Sequence, residues 1–133
     1  MAKFSAYLSE NILKKVFLGV NFQLTGEFHL ALFIGDPEGL GIEISEIGYA
    51  RQPILWQLSN SYTVTNPEAI FFGEAQNDWP AVSHWAIFDA ATDGQLLALG
   101  GLVDEFDSPI TKSFLAGDVP RFRAFSLEVA FNG

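Results

Sequence analysis

Cysteine is absent from this chain of 133 residues. Its absence excludes disulfides, thiolate ligands to metals and thiol nucleophiles, and it is typical of a protein that folds in a reducing cytoplasm. Basic residues are also few, with 7 Lys and Arg against 16 Asp and Glu and a net charge of −9. Because nucleic-acid binding depends on clustered positive charge, we expect no nucleic-acid partner.

Long apolar segments and sequence repeats are lacking as well. No run approaches the roughly 18–20 apolar residues that span a bilayer, and the first residues lack the apolar centre of a signal peptide. We therefore expect a soluble protein without a membrane partner. Heptads, collagen-like glycine repeats and β-helix repeats are also missing, which argues against a long fibre shaft formed by this chain alone.

Patterns that would hold a metal ion are missing too. The chain has two histidines, His29 and His84, and neither has carboxylates at the spacing of a metal site. The acidic run at residues 104–107 lacks the glycine and ligand spacing of a Ca²⁺ loop, so we expect a solvated loop there. We predict no metal and no cofactor.

Catalytic motifs are equally absent. There is no nucleophile elbow, P-loop or dinucleotide-binding motif, and alternation along a strand would point Ser83 and His84 to opposite faces. The glycine-containing segments 39–41 and 100–101 are expected to form turns and a bulge. With 16 acidic residues, no particular carboxylate pair is selected for glycoside hydrolysis. We predict a protein without catalytic residues, not an enzyme.

Apolar residues, by contrast, are abundant. Hydrophobic side chains make up 49% of the chain and include 13 Phe, so a chain of this length can bury a substantial core. We predict a single domain at residues 1–133. Residues 5–18 are predicted to form a helix, with Ser5 as its N-cap and Gly19 just beyond its end.

The predicted helix carries one apolar stripe. Leu8, Ile12 and Val16 recur every four residues, with Leu13 and Phe17 beside them. Such a stripe either packs on its own domain or docks on a neighbouring subunit, and both interpretations are open at this point.

After the helix the apolar period changes from 3.6 to 2, which indicates strands. Asp93-Gly94 supplies the residues that a tight hairpin turn requires. About eight strands with turns roughly every 8–12 residues predict an all-β fold with one N-terminal helix, in the form of an antiparallel, jelly-roll-like β-sandwich. The clearest alternating segments are residues 28–34, 82–88 and 125–131, and residues 49–58 are a further extended run, kinked at Pro53.

Six motifs in chain order give the sequence a resemblance. They include Glu-x-Ser followed by Gly-Tyr-Ala-Arg, an Asp-Trp pair, and His-Trp-Ala-Ile-Phe-Asp-Ala. With them the chain resembles a family of small phage virion proteins described as tail-fibre-like or minor structural proteins. The motifs lie at residues 5–18, 28–37, 43–51, 72–79, 83–90 and 117–131.

The resemblance implies a non-enzymatic structural protein on the exterior of the virion, made in the host cytoplasm. We rank a capsid decoration (cement) protein first, because a compact domain without a shaft suits a surface clamp. The alternative is a fibre or adaptor of the tail, neck or baseplate, with glycan binding by a β-sandwich through Trp56, Tyr62 or Trp79 as a further option. Expected partners are the major capsid protein or tail and neck components. A homo-oligomer is also expected, with a trimer favoured, because closed symmetry multiplies modest contacts.

Residues in or near the motifs are the interface candidates. Large aromatic side chains and arginines often anchor interfaces, but they equally hold a fold together, and the sequence leaves both roles open. Two arginines in the last segment make it more basic than the family resemblance suggests. The candidates are Tyr49, Arg51, Trp79, His84, Trp85, Arg121 and Arg123.

Overall fold

The computed structural model describes residues 2–130, which contain one helix and thirteen short strands. The helix, α1, spans Ala6–Leu18, and every strand pairing among the described residues is antiparallel. The predicted fold class, an antiparallel β-sandwich with one N-terminal helix, is thereby confirmed. In chain order the strands are β1 (Lys3–Phe4), β2 (His29–Ile34), β3 (Ile42–Glu43), β4 (Gln52–Pro53), β5 (Gln57–Asn60), β6 (Thr63–Thr65), β7 (Ile70–Phe71), β8 (Trp79–Val82), β9 (His84–Phe88), β10 (Leu96–Gly101), β11 (Lys112–Phe114), β12 (Arg121–Phe122) and β13 (Glu128–Ala130).

The largest sheet has six strands in the order β1-β10-β9-β2-β3, with β4 also paired to β2. Leu32 of β2 lies opposite Trp85 of β9, and Trp85 lies opposite Gly100 of β10. Because side chains alternate along a strand, the two faces of this sheet carry different clusters. The main core takes Leu30, Leu32, Trp85 and Ile87, and the opposite face takes Ala31, Phe33 and Ala86.

Three small sheets complete the sandwich: β11-β8, β12-β7 and β13-β6-β5. Their buried side chains join the same main core as those of the large sheet, so two layers of strands enclose one apolar interior. The small sheets contribute Ile70, Trp79, Val82 and Val129 to it.

The N-terminus of α1 is firmly held by the body of the protein. Ser5 caps the helix, since its Oγ accepts from the backbone N–H of Leu8 at 3.0 Å. The same hydroxyl donates to the carbonyl of Leu96 at 2.5 Å. The carboxylate of Glu38 accepts from the N–H of Ala6 at 2.7 Å, where a negative charge also complements the helix dipole.

Within residues 2–130, no hydrogen bond ties the other end of α1 to the sandwich. Gly19 ends the helix in the left-handed conformation, with φ 67°. Tyr7 and Leu8, in the first turn, pack against the main core, but no residue of the helix is fully buried. The interpretation that the stripe packs on its own domain therefore holds for the first turn, and the side chains of Leu13, Val16 and Phe17 are exposed. No helix within residues 2–130 is long and apolar enough to cross a membrane.

Two predicted strands differ from the observed ones. Residues 49–58 do not form one extended run, because β4 pairs with β2 in the large sheet whereas β5 pairs with β6 in a small one. The last strand does not begin at Phe125, which lies in a turn with φ 64° and donates its N–H to the carbonyl of Asn66 at 2.7 Å. It begins at Glu128, and Phe131 lies outside the described residues.

The predicted bulge at residues 100–101 is also wrong. Gly100 and Gly101 pair in regular register with Trp85 and His84, and the irregularity of β10 lies between Leu96 and Ala98. Gly100 instead makes room for the indole ring of Trp85.

Candidate functional site

A closed polar network occupies the Gly-Tyr-Ala-Arg segment and the strand before it. Arg51 donates from Nε to Oε2 of Glu43 at 2.9 Å and from Nη2 to Oε1 at 2.8 Å. The hydroxyl of Tyr49 donates to Oε2 of Glu43 at 2.5 Å and accepts from the N–H of Leu32 at 3.2 Å. A bidentate guanidinium–carboxylate pair is among the stronger polar contacts in proteins, so this network fixes β3 against β2.

The remaining face of Arg51 is used inside the chain too. Its Nη1 donates to the carbonyls of Ala90 at 3.0 Å and Asp93 at 2.7 Å, and its Cζ lies 3.9 Å from the ring centroid of Phe88. These contacts hold the β9–β10 hairpin, where Asp93 and Gly94 take the positive φ angles that the sequence predicts. Most of the N–H groups of the guanidinium are therefore used inside the chain, and Arg51 can donate few hydrogen bonds to a partner.

Burial and pairing shift the pKa values of this network. Burial, followed by the hydrogen bond to Glu43, raises the pKa of the Tyr49 hydroxyl far above its usual value. For Arg51, burial is the largest influence and acts to lower the pKa, but the hydrogen bond and charge of Glu43 outweigh it and raise the pKa. Tyr49 therefore stays neutral and Arg51 stays charged.

Trp79 belongs to the core. Its side chain is 2% exposed, with ring centroids at 5.8 Å from Tyr49 and 5.9 Å from Phe114 in edge-on geometry. The indole N–H donates to the carbonyl of Ile47 at 3.4 Å. Next to it, Gly48 has φ 93°, and a Cβ there would lie 2.5 Å from the carbonyl oxygen of Glu74. This segment is built for close packing.

Trp85 is likewise an internal residue, 5% exposed. It lies across β10 from Gly100, where a Cβ would approach its Cζ2 to 2.7 Å. The missing side chain at Gly100 is what lets the indole lie flat against the neighbouring strand. Burial favours the structural role that the sequence left open for both tryptophans.

His84 and Ser83 contradict the predicted alternation. Ser83 Oγ and His84 Nδ1 are hydrogen-bonded at 2.8 Å, because Ser83 falls in the break between β8 and β9 and is not a strand residue. The same Oγ accepts from the N–H of Gly35 at 2.8 Å. The pair lines a groove of about 630 Å³. Among residues 2–130, no group of histidines and carboxylates is arranged to hold a metal ion.

Arg121 and Arg123 are the two candidates that are exposed. Neither takes part in an ion pair within the described part of the chain. Both line a groove of about 350 Å³ together with Lys112. Sequence reasoning missed Lys112, because only the pairing of β11 with β8 and of β12 with β7 brings it close to the arginines, and no local pattern signals those pairings.

Comparison with known proteins adds one finding. A protein-family model described as "Podophage GP4 fiber I protein gp80" matches residues 3–130. The match covers almost the whole chain, including both layers of the sandwich and α1. No curated protein matches the chain.

Proposed function

This chain belongs to the family of podophage GP4 fiber I protein gp80, and on that premise we propose that it is a non-enzymatic subunit of a fibre on the outside of the virion, in its neck or tail region. Membership makes it a phage structural protein of the fibre-like class. The family description favours the fibre alternative over capsid decoration, which the sequence analysis ranked first. Fibre subunits work by assembling, so the proposal requires a surface through which this chain joins its neighbours.

The projecting half of α1 is the observation that carries the proposal. Leu13, Val16 and Phe17 are spaced i, i+3, i+4 and form one stripe, and Val20 follows just beyond the end of the helix. All four are exposed, Phe17 to 76%. The opposite end of the helix is fixed to the sandwich by Ser5 and Glu38. The exposed segment that carries the stripe, residues 13–20, is therefore an arm anchored at its base. Contiguous exposed apolar surface of this kind marks interaction sites.

A second copy of this chain is the partner we propose for that arm, because the charges are complementary. The first 24 residues contain three lysines and one glutamate, whereas the rest of the chain contains four basic and fifteen acidic residues. The arm itself carries Lys14 and Lys15. A basic, apolar arm would therefore be attracted to the acidic body of the next copy.

The groove of about 630 Å³ is the complementary surface. Its apolar wall includes Leu102, Val103 and Ile110. Asp36 and Asp107 also line it, as does Lys3, whose ammonium is paired with Glu38 at 3.5 Å. Neither aspartate takes part in an ion pair within the described part of the chain. A contact between two different surfaces is heterologous, and it closes into a ring when the rotation between copies allows. A trimer built this way is the assembly we propose.

Position on the particle is tested by labelling purified virions with a gold-tagged antibody against this chain and imaging them by electron microscopy. Gold confined to the neck or tail is the expected result. Gold spread over the head would restore capsid decoration and overturn the fibre proposal. No gold on intact particles would overturn both, and hydrolysis of host polysaccharide by the purified protein would overturn its non-enzymatic character.

A further inference from the structure

Three positive charges of the sandwich converge on one place. After residue 24 the chain has four basic residues. Arg51 is consumed by its internal network, and the other three, Lys112, Arg121 and Arg123, all line the groove of about 350 Å³. If these four residues were scattered at random over the acidic surface, the three without an internal partner would not be expected to lie around the same groove.

The groove has a fixed floor. Phe114 and Pro120 line it, and the ring of Phe114 packs edge-on against Trp79, with centroids 5.9 Å apart. The carbonyl of Pro120 accepts from the N–H of Phe72 at 2.8 Å. Asp118, the acidic residue of the groove, is engaged in the turn, where its Oδ2 accepts from the N–H of Leu115 at 2.8 Å.

We propose that this groove binds an anionic polysaccharide through carboxylate or phosphate groups on its sugars. Two guanidinium forks can each receive such a group bidentately, and the lysine adds a compact charge. The volume is within the range of about 300–1,000 Å³ that is usual for small-ligand sites. The apolar floor suits the C–H face of a sugar ring. An acidic protein segment would need a longer basic track, and the sandwich has no further free basic residue among those described.

The inference rests on the proposed function, since a fibre outside the virion is what would meet the anionic polysaccharides of a host surface. The two are separable. Virion labelling reports where the protein sits, whereas the groove is tested on the purified chain. Because the protein carries a net charge of −9, it repels polyanions at long range, and measurable binding therefore requires a local site.

The experiment titrates purified protein with polygalacturonate, with dextran as the neutral polymer and inorganic phosphate as the second anionic probe. We expect binding of polygalacturonate or phosphate that weakens as salt is raised, and no binding of dextran. Arg121→Gln/Arg123→Gln should weaken the binding at least about tenfold. The Arg121→Lys/Arg123→Lys variant should bind with an affinity between those of the Arg→Gln pair and the natural chain, because it keeps the positive charges but loses the bidentate guanidinium groups.

The control pair is Gln57→Glu/Ser61→Glu, on the exposed β5–β6 hairpin. It lowers the net charge by two, as the Arg→Gln pair does, but leaves the groove untouched. Unchanged binding by this control supports a local site. Equal loss in both pairs, or wild-type binding by the Arg→Gln pair with its fold retained by circular dichroism, would overturn the inference. Binding of neither anionic probe by the natural chain would do the same.

Discussion

At the scale of single residues, Tyr49 shows how a motif residue can serve the fold. Tyr49→Phe removes the hydrogen bond to Glu43 and leaves the N–H of Leu32 without its acceptor. We expect a loss of about 1–3 kcal/mol in the free energy of unfolding at pH 7. Chemical denaturation of both proteins measures it, and a loss near zero would show that water replaces the hydroxyl.

The same variant should alter the response to alkali. The folded pKa of Tyr49 is raised by burial and by Glu43, whereas an unfolded tyrosine ionises at about pH 10. The stabilisation by Tyr49 is therefore fully present below about pH 10 and is lost at higher pH, because the unfolded chain releases a proton that the folded chain retains. The free energy of unfolding of the Tyr49→Phe variant should therefore decline less steeply above about pH 10 than that of the natural chain.

Gly100 and Gly101 form a matched pair for testing the packing of Trp85. A Cβ at Gly100 would lie 2.7 Å from Cζ2 of the indole, whereas at Gly101 the nearest atom, Nε2 of His84, would be 3.8 Å away. Gly100→Ala should destabilise by about 1–3 kcal/mol through overpacking, and Gly101→Ala should change little. Thermal unfolding of the two variants measures the difference. Equal destabilisation of both would indicate a general cost of replacing a glycine on β10 rather than overpacking against Trp85.

At the scale of elements, the sequence predicts structures that depend on neighbouring residues, but it does not predict pairing between distant segments. The caps of α1 and the Asp93-Gly94 turn depend on neighbouring residues, and the sequence predicts both. Phe125 continues the apolar alternation, yet its N–H bonds to the distant Asn66, which no period reveals. Ser83 leaves the alternation for the same reason, since its N–H donates to the carbonyl of Phe33 on β2.

The proposed contact between α1 and the groove can be tested by disulfide trapping, because the natural chain has no cysteine. Phe17→Cys/Ile110→Cys should give cross-linked multimers under oxidising conditions, since residue 17 of one copy would lie beside residue 110 of the next. Each single variant should stay uncross-linked. Dimers formed by Phe17→Cys alone would show that helices pair with each other, and would overturn the groove as the acceptor.

At the scale of the whole molecule, the apolar arm should decide the oligomeric state. Val16→Ser/Phe17→Ser removes two exposed side chains from the stripe, so the fold should persist while the assembly dissociates to monomers. Light scattering coupled to gel filtration measures the mass. Leu58→Ser, at an equally exposed apolar position on β5, is the control and should leave the mass unchanged.

The candidate residues divide into those whose contacts lie inside the chain and those that are exposed. The sequence identifies Tyr49, Arg51, Trp79 and Trp85 as special, but a residue type alone does not say whether its contacts lie inside or outside the chain. Burial supplies that distinction. Arg121 and Arg123 stand out in the sequence by their charge, whereas their convergence with Lys112 depends on two small sheets formed by distant segments.

The burial of the tryptophans has an optical consequence. Trp79 and Trp85 are buried and Trp56, the third, packs partly against the same core, so none lies on the apolar arm. Intrinsic fluorescence should then report unfolding while remaining blind to assembly. A Phe17→Trp variant would place a fourth indole on the arm, and a blue shift of its emission with rising protein concentration would follow subunits joining in real time.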